Sequence, residues 1–252
     1  LDSDSSHIEN TIIDGTNVFR PVRIEDVTTD STIICGMTIA NGYCYNAGGI
    51  YINNSFSISG SWSITYIRCI KEQTDGKILI GGRFSTGSLN CLCRLNSDGT
   101  PDNTFNPSGT GFASNADIYS IELQNNKILI GGYFTSYNNT SSYGQYNCNR
   151  IIKIDNNGNV FTGFTIGTGF NSTIYSSKEQ SDGKIIISGN FTSYNGTSKN
   201  RILRLNSDGT IDNSFNNGFT SSSDFAYDIQ IQSDNKIILG GQFSSYNNKI
   251  SY

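Results

Sequence analysis

Four short runs of consecutive aliphatic residues punctuate the chain. Each opens on Lys, passes through two small residues and closes on Phe: residues 77–84 (KILIGGRF), 127–134 (KILIGGYF), 184–191 (KIIISGNF) and 236–243 (KIILGGQF). The runs are too short for helices, rich in Ile and apolar at adjacent positions. They predict strands covered on both faces. The small pair before each Phe predicts close backbone approach or a bulge. A second segment precedes each run, at 119–124, 175–180 and 227–232, with a looser copy at 67–73. A third follows the first three runs and carries Arg94-Leu95, Lys153-Ile154 and Arg204-Leu205 before a string that ends in Phe105, Phe164 or Phe215. Asp75-Gly76, Asn125-Asn126, Asp182-Gly183 and Asp234-Asn235 sit between the first and second segments, and Asp98-Gly99, Asn157-Gly158 and Asp208-Gly209 follow the third. Gly and Asn tolerate positive φ, so these pairs predict type I′ hairpin turns.

Each unit therefore reads as strand, tight turn, strand, loop, strand, turn and short strand. Units of about fifty residues with three or four antiparallel strands have the period of β-propeller blades. The expected fold is all-β: a repeat β-propeller with about four blades visible, preceded by a short parallel β-solenoid-like segment. The units are placed at about 61–112, 113–170, 171–219 and 220–252, after a segment 1–60. Unit four stops after its loop and lacks the Arg/Lys strand, so ring closure is not accounted for. The strings DGKILIGGRF (75–84), RILRLNSDG (201–209) and TIDNSF (210–215) resemble the delta-60 repeat β-propellers over about residues 61–252. That resemblance implies a module of large secreted, cell-surface or phage-associated proteins, with no defining catalytic residue set.

The first sixty residues have another texture. Short alternating stretches around Ile12, Met37 and Ile50 are punctuated by Gly and Asn. They are similar to coils of right-handed parallel β-helices of the pectin-lyase-like and polymorphic outer-membrane-protein type, which suits a solenoid that stacks like residues. A competing reading has residues 20–33 supply the strand missing from unit four. The chain opens on Leu1, and it is expected to be part of something longer or to bring its ends together.

Composition narrows the function. Of 252 residues only 15% are charged, the net charge is -4 and there is one histidine, His7. An acidic balance argues against nucleic acid as partner. No apolar stretch approaches the ~18 residues of a membrane span. The lone His removes most His-based catalysis and most zinc sites, and no metal or cofactor is expected.

Six cysteines permit disulfides, with Cys35 and Cys44 as one candidate pair. Cys91 and Cys93 share a strand face and are poorly placed to bridge. Cys93 aligns with Ile152 and Leu203, which reads as a buried small hydrophobe. Asp98, Asp102, Asp208 and Asp212 recur beside Asn residues, and turn formation explains them better than a Ca²⁺ loop. Glu72, Glu122 and Glu179 occupy one repeat position and look structural. Arg94, Lys153 and Arg204 recur as well. They are expected either to form ion pairs with their stems over the blade or to ring one face as anion contacts for an acidic glycan.

The segments after each Phe hold the candidate binding residues: Tyr137, Asn138, Tyr143, Tyr146, Tyr194, Asn195, Tyr246 and Asn247. Tyr flanked by Asn and Ser combines an apolar ring with polar donors and acceptors, as a sugar face or polar epitope requires. The competing reading has each Tyr cover its own blade edge. The function expected is a non-enzymatic, extracellular or surface-exposed module that binds glycan or protein multivalently. Other copies, or the rest of a longer chain, are further candidate partners. The alternatives are part of a polysaccharide-degrading enzyme whose site lies in missing solenoid coils, or a structural component of a virion or phage tail.

Overall fold

The computed structural model describes residues 63–86, 89–106, 109–139, 144–216, 218–219, 224–243, 245–246 and 249–250. The expectations for segment 1–60, for residues 20–33, for the Cys35–Cys44 pair and for Tyr143 and Asn247 lie outside them. The described residues are all-β and contain no helix. They form a series of antiparallel sheets of two or three strands and one six-stranded sheet that includes a parallel pair, laid side by side as in a repeat β-propeller.

Unit one contributes β1 (Ser63–Glu72), β2 (Ile78–Ser85) and β3 (Asn90–Leu95), and β4 (Gly111–Phe112) links it onward. Unit two contributes β5 (Asp117–Gln124), β6 (Lys127–Tyr133), β7 (Ser136–Asn139), β8 (Gly144–Asn147) and β9 (Ile151–Asp155). Unit three contributes β10 (Ile174–Glu179), β11 (Ile185–Gly189), β12 (Ser193–Tyr194), β13 (Thr197–Ser198) and β14 (Ile202–Leu205). Unit four contributes β15 (Phe225–Ile231), β16 (Ile237–Gln242), β17 (Ser245–Tyr246) and β18 (Lys249–Ile250). In the first three units the second strand lies between the first and third, antiparallel to both. In these three units the fourth strand shrinks to one bridge: Leu95 with Pro101, Ile154 with Val160 and Leu205 with Ile211.

The middle strand explains its own composition. Leu79, Ile80, Ile128, Leu129, Ile130, Ile185, Ile186 and Ile187 are all buried: neighbouring units cover both faces of the sheets of units two and three, and in unit one the next unit covers Leu79 while Ile80 packs on Phe84, Cys93 and Leu95 of its own unit. The first strands β1, β5, β10 and β15 are neighbours in space, each against the next. Short polar contacts join them. Ser120 Oγ lies 2.8 Å from Ser177 Oγ, and Ser176 Oγ accepts from Ile229 N at 3.2 Å.

The turn expectation needs correction in every unit. Of the expected turns only Asn125-Asn126 has positive φ at both residues, with Gln124 paired directly to Lys127. In the others only the second residue is left-handed, Gly76, Gly183 and Asn235 before the second strands and Gly99, Gly158 and Gly209 after the third, and bonds such as Gly76 N to Gln73 O with Gln73 N to Lys77 O mark a type I turn closed by a bulge residue.

A larger correction concerns the segment between second and third strands. Read as a loop, it is a hairpin in units two, three and four: β7–β8, β12–β13 and β17–β18. In unit three the cause is a two-residue Asn195-Gly196 turn, both residues left-handed, flanked by the Tyr194–Thr197 pair.

The small pairs before each Phe have a definite reason. In every unit the first strand carries a bulge, and the second residue of the pair faces it: Gly82, Gly132, Gly189 and Gly241. A Cβ at any of the four would come closer than 3.0 Å to a first-strand carbonyl oxygen, that of Tyr66, Asp117, Thr173 or Phe225. Only Gly permits this approach.

Candidate functional site

The bulge also decides which side chains the first strands present. The extra residue is Arg68 in β1, Tyr119 in β5, Tyr175 in β10 and Tyr227 in β15. A bulge re-aims the residue it inserts. Because the bulge repeats in register, the four side chains line up across the units. The Arg68 guanidinium carbon sits 4.4 Å from the Tyr119 ring centroid and 4.7 Å from that of Tyr66. Tyr119 and Tyr175 meet edge to face at 5.8 Å, and Tyr175 and Tyr227 are tilted at 5.3 Å. Phe225 lies 6.3 Å from Tyr227 and is stacked with it, and the Arg201 guanidinium lies 4.6 Å from the Phe225 ring.

Exposure grows along this lane. Tyr119 and Tyr175 are half-buried, and Tyr227 is 51% exposed. Its one cation on the bulge line is neutralised: Arg68 donates from Nε and Nη2 to the two carboxylate oxygens of Asp117, at 2.7 and 2.8 Å. Burial alone would lower the Arg68 pKa, but the Asp117 bond and charge raise it above its ordinary value. Burial raises the hydroxyl pKa values of Tyr119 and Tyr175, so both stay protonated at neutral pH. The lane offers ring faces and neutral hydroxyl groups with no uncompensated charge at its Arg68 end.

The residues expected to bind are placed differently. Tyr137 and Tyr194 are fully buried, so neither ring is available to a sugar. Tyr137 Oη donates to Gly158 O at 2.9 Å and Tyr194 Oη to Gly209 O at 2.8 Å. Burial pushes the Tyr194 hydroxyl up to about 12 and that of Tyr137 upward as well. Their rings pack on Phe112 at 5.0 Å and Phe170 at 4.5 Å. Half-buried Tyr246 meets Phe219 at 5.2 Å in the same manner. These tyrosines therefore pack at the junction with the preceding unit, whose last Phe each ring meets, and not on the edge of their own blade. Tyr146 is half-buried against the main core. Asn138 accepts at its backbone oxygen from Asn106 Nδ2 at 3.2 Å, and Asn195 Oδ1 accepts from Gly169 N at 2.9 Å. Both serve the connection between units.

The recurring cations are not free anion contacts. Buried Arg94 donates from Nε to Asp102 Oδ2 at 2.8 Å, and Lys77 donates to the same oxygen at 2.8 Å. Arg204 and Lys184 repeat this on Asp212 at 2.8 and 2.9 Å. Unit two has no such Asp, and buried Lys153 reaches Glu179 in the next unit at 3.1 Å. Burial raises the Glu179 pKa against the pull of Lys153. Burial alone would raise the pKa of Asp102, but its bonds from Lys77 and Thr104 and the charge of Arg94 hold it well below the usual carboxylate range. Asp212 is held low chiefly by Ser214, then Lys184 and Arg204. The Asp98 and Asp208 carboxylates close their own turns, accepting from the backbone and hydroxyl of Thr100 and Thr210. Cys93 is buried and free, paired across the sheet with Ile80 as Ile152 is with Ile130.

Two features carry weight here that the sequence reading did not single out. One is the bulge lane itself. The other is the dipeptide Gly-Phe at 111–112, 169–170 and 218–219, whose Phe seats the hairpin Tyr of the following repeat. Its recurrence ahead of units two, three and four was the available signal. Among the described residues no helix is long and apolar enough to cross a membrane.

No curated protein matches the chain. A family model described as "Domain of unknown function (DUF5122) beta-propeller" matches residues 73–105, 123–164, 180–215 and 232–250, one segment in each of the four units. The matched segments together span about half of the sequence and follow the second strand, its turns and the third-strand string where present. The chain belongs to this beta-propeller family.

Proposed function

We propose that the protein is a non-catalytic binding module that takes neutral saccharide chains along the lane of Arg68, Tyr119, Tyr175 and Tyr227. The observation that carries this reading is the repeated bulge, which delivers one ring or guanidinium per unit to a continuous, partly exposed line. Ring faces accept the C–H face of a sugar, and the phenol groups donate and accept at its hydroxyl groups. The Arg68–Asp117 pair removes the charge that would select an acidic polymer. Several weak contacts on a chain of sugars add through effective concentration. This reading places the module outside the cell, at a surface where such polymers are met.

The experiment is a neutral oligosaccharide array followed by titration of the best binder. Tyr227→Ala and Tyr175→Ala are expected to weaken binding about 2–10-fold each, the range of one aromatic contact. Salt is expected to have little effect. Unchanged affinity in both variants, with native circular dichroism, would sink the assignment.

A further inference from the structure

We propose that unit two holds a binding site for a carboxylate borne on a sugar ring, built from the Arg150 guanidinium and the Tyr133 ring. The site uses no residue of the lane and does not rest on the saccharide reading above. Unit two has described neighbours against both sides of its first strand, β1 and β10.

Charge pairing leaves Arg150 out. Arg68, Arg94, Lys153 and Arg204 each meet a carboxylate within 3.1 Å. Half-buried Arg150 meets none among the described residues. Its Nη1 donates to Phe134 O at 2.8 Å, its Nε is buried without an acceptor, and its Nη2 has no hydrogen bond among the described residues. Asp117 is the cross-strand partner of Tyr133, but Arg68 already occupies both its oxygens. A guanidinium partly withdrawn from water without a counter-ion is costly. An anion at Nη2 would complete it.

The same position in the other units is closed. Its counterparts are Cys91 and Arg201, each just ahead of the residue that pairs with the first of the small pair. Cys91 is buried and donates from Sγ to Ala116 O at 3.2 Å. Arg201 is buried, with Nη1 held by the backbone oxygen and side-chain oxygen of Asn190. Unit two has Tyr133 where unit three has Asn190, so no amide oxygen stands there to receive the guanidinium. The guanidinium carbon lies instead 4.3 Å from the centroid of the Tyr133 ring, and Tyr133 is 47% exposed.

This arrangement fits a sugar acid better than a bare anion. The guanidinium donates to the carboxylate in charge-assisted bonds. The exposed part of the Tyr133 ring takes the C–H face of the sugar, and its phenol donates and accepts at the sugar hydroxyl groups.

The test titrates the isotope-labelled full chain with glucuronate, with glucose and inorganic sulfate as controls. The Nε–H resonance of Arg150 is expected to shift saturably with glucuronate and not with glucose. High salt is expected to weaken the effect. Arg150→Gln is expected to weaken glucuronate at least about tenfold, the worth of a charged hydrogen bond, and Arg150→Lys to keep part of the affinity. Tyr133→Ala, at an exposed position, is expected to weaken glucuronate about 2–10-fold and to leave sulfate unchanged. Sulfate binding as tightly as glucuronate would reduce the site to an adventitious ion only and overturn the proposal. So would the absence of a saturable shift, or unchanged glucuronate affinity in Tyr133→Ala. Competition by a neutral oligosaccharide bound in the lane would overturn it too, because the acid would then occupy the lane.

Discussion

The same substitution at the same repeat position should have opposite outcomes in units two and four. A Cβ on Gly131 would lie 2.7 Å from Ile174 Cγ2 in the next unit, while a Cβ on Gly240 would meet nothing within 4 Å. Ile174 is fully buried on a paired strand, so it must move about 0.7 Å to reach an ordinary contact beyond 3.4 Å. Overpacking of this kind costs ~1–3 kcal/mol. Replacing Gly by Ala also stiffens the unfolded chain, which stabilises by ~0.4–1 kcal/mol where the backbone is compatible. Gly131→Ala is therefore expected to lose about 1–2 kcal/mol net, and Gly240→Ala to be neutral or gain about 0.5 kcal/mol. Gly132 and Gly241 form the internal control. Both face a carbonyl of their own unit, so Ala should be costly at both, at about 3 kcal/mol or more, because a backbone oxygen yields less than a methyl. Urea unfolding followed by circular dichroism reads these differences, since 1 kcal/mol moves the midpoint by about 0.5 M for a slope near 2 kcal/mol/M. Equal losses for Gly131→Ala and Gly240→Ala would refute the claim that the neighbouring unit, rather than the bulge, imposes the first glycine.

Three further outcomes follow from buried polar groups. Asp102→Asn leaves Arg94 charged and buried beside Lys77, and is expected to cost about 3–5 kcal/mol in urea unfolding, with much of it recovered when Arg94→Met is added. Ser188 is fully buried and its Oγ has no hydrogen-bond partner among the described residues, so Ser188→Ala is expected to raise stability by about 1 kcal/mol. Asp102 and Asp212 have folded pKa values below their unfolded ones, so their contribution is present above about pH 4 and is lost as pH falls toward the folded values. A melting-temperature series from pH 5 to pH 2 should fall less steeply in Asp212→Asn than in the parent chain.

The strands and the glycine pairs were legible because their causes are local. A two-faced strand must be apolar at adjacent residues, and a bulge that brings a carbonyl against the opposite backbone must face Gly. Tyr137 and Tyr194 were ambiguous because their fate is decided elsewhere. Asn and Ser neighbours make them look polar, yet Phe112 and Phe170 cover the rings, and those residues come some 25 positions earlier. The recurring cations raised a similar problem. Their carboxylate partners were visible in the repeat as Asp102 and Asp212, but the ladder bridges that bring each back beside its arginine were not. The lane was hidden because the bulge puts Arg68, not Tyr66, in line with Tyr119, so the aromatic repeat breaks in unit one although the side chains continue in space.

The interfaces between units were tuned one at a time, and the residue sizes record it. At the first position of each small pair stand Gly81, Gly131, Ser188 and Gly240. Opposite Gly81 and Gly131 the next unit sets a branched side chain, Ile118 and Ile174. In unit three the small residue has grown to Ser, and the register position held by those isoleucines is Ala226. An added hydroxymethyl group on one side is matched by lost methyl groups on the other, as close packing demands. Gly240 has kept the form that accommodates a branched neighbour, although nothing touches it. A glycine costs the unfolded chain extra freedom and gains nothing on an open face.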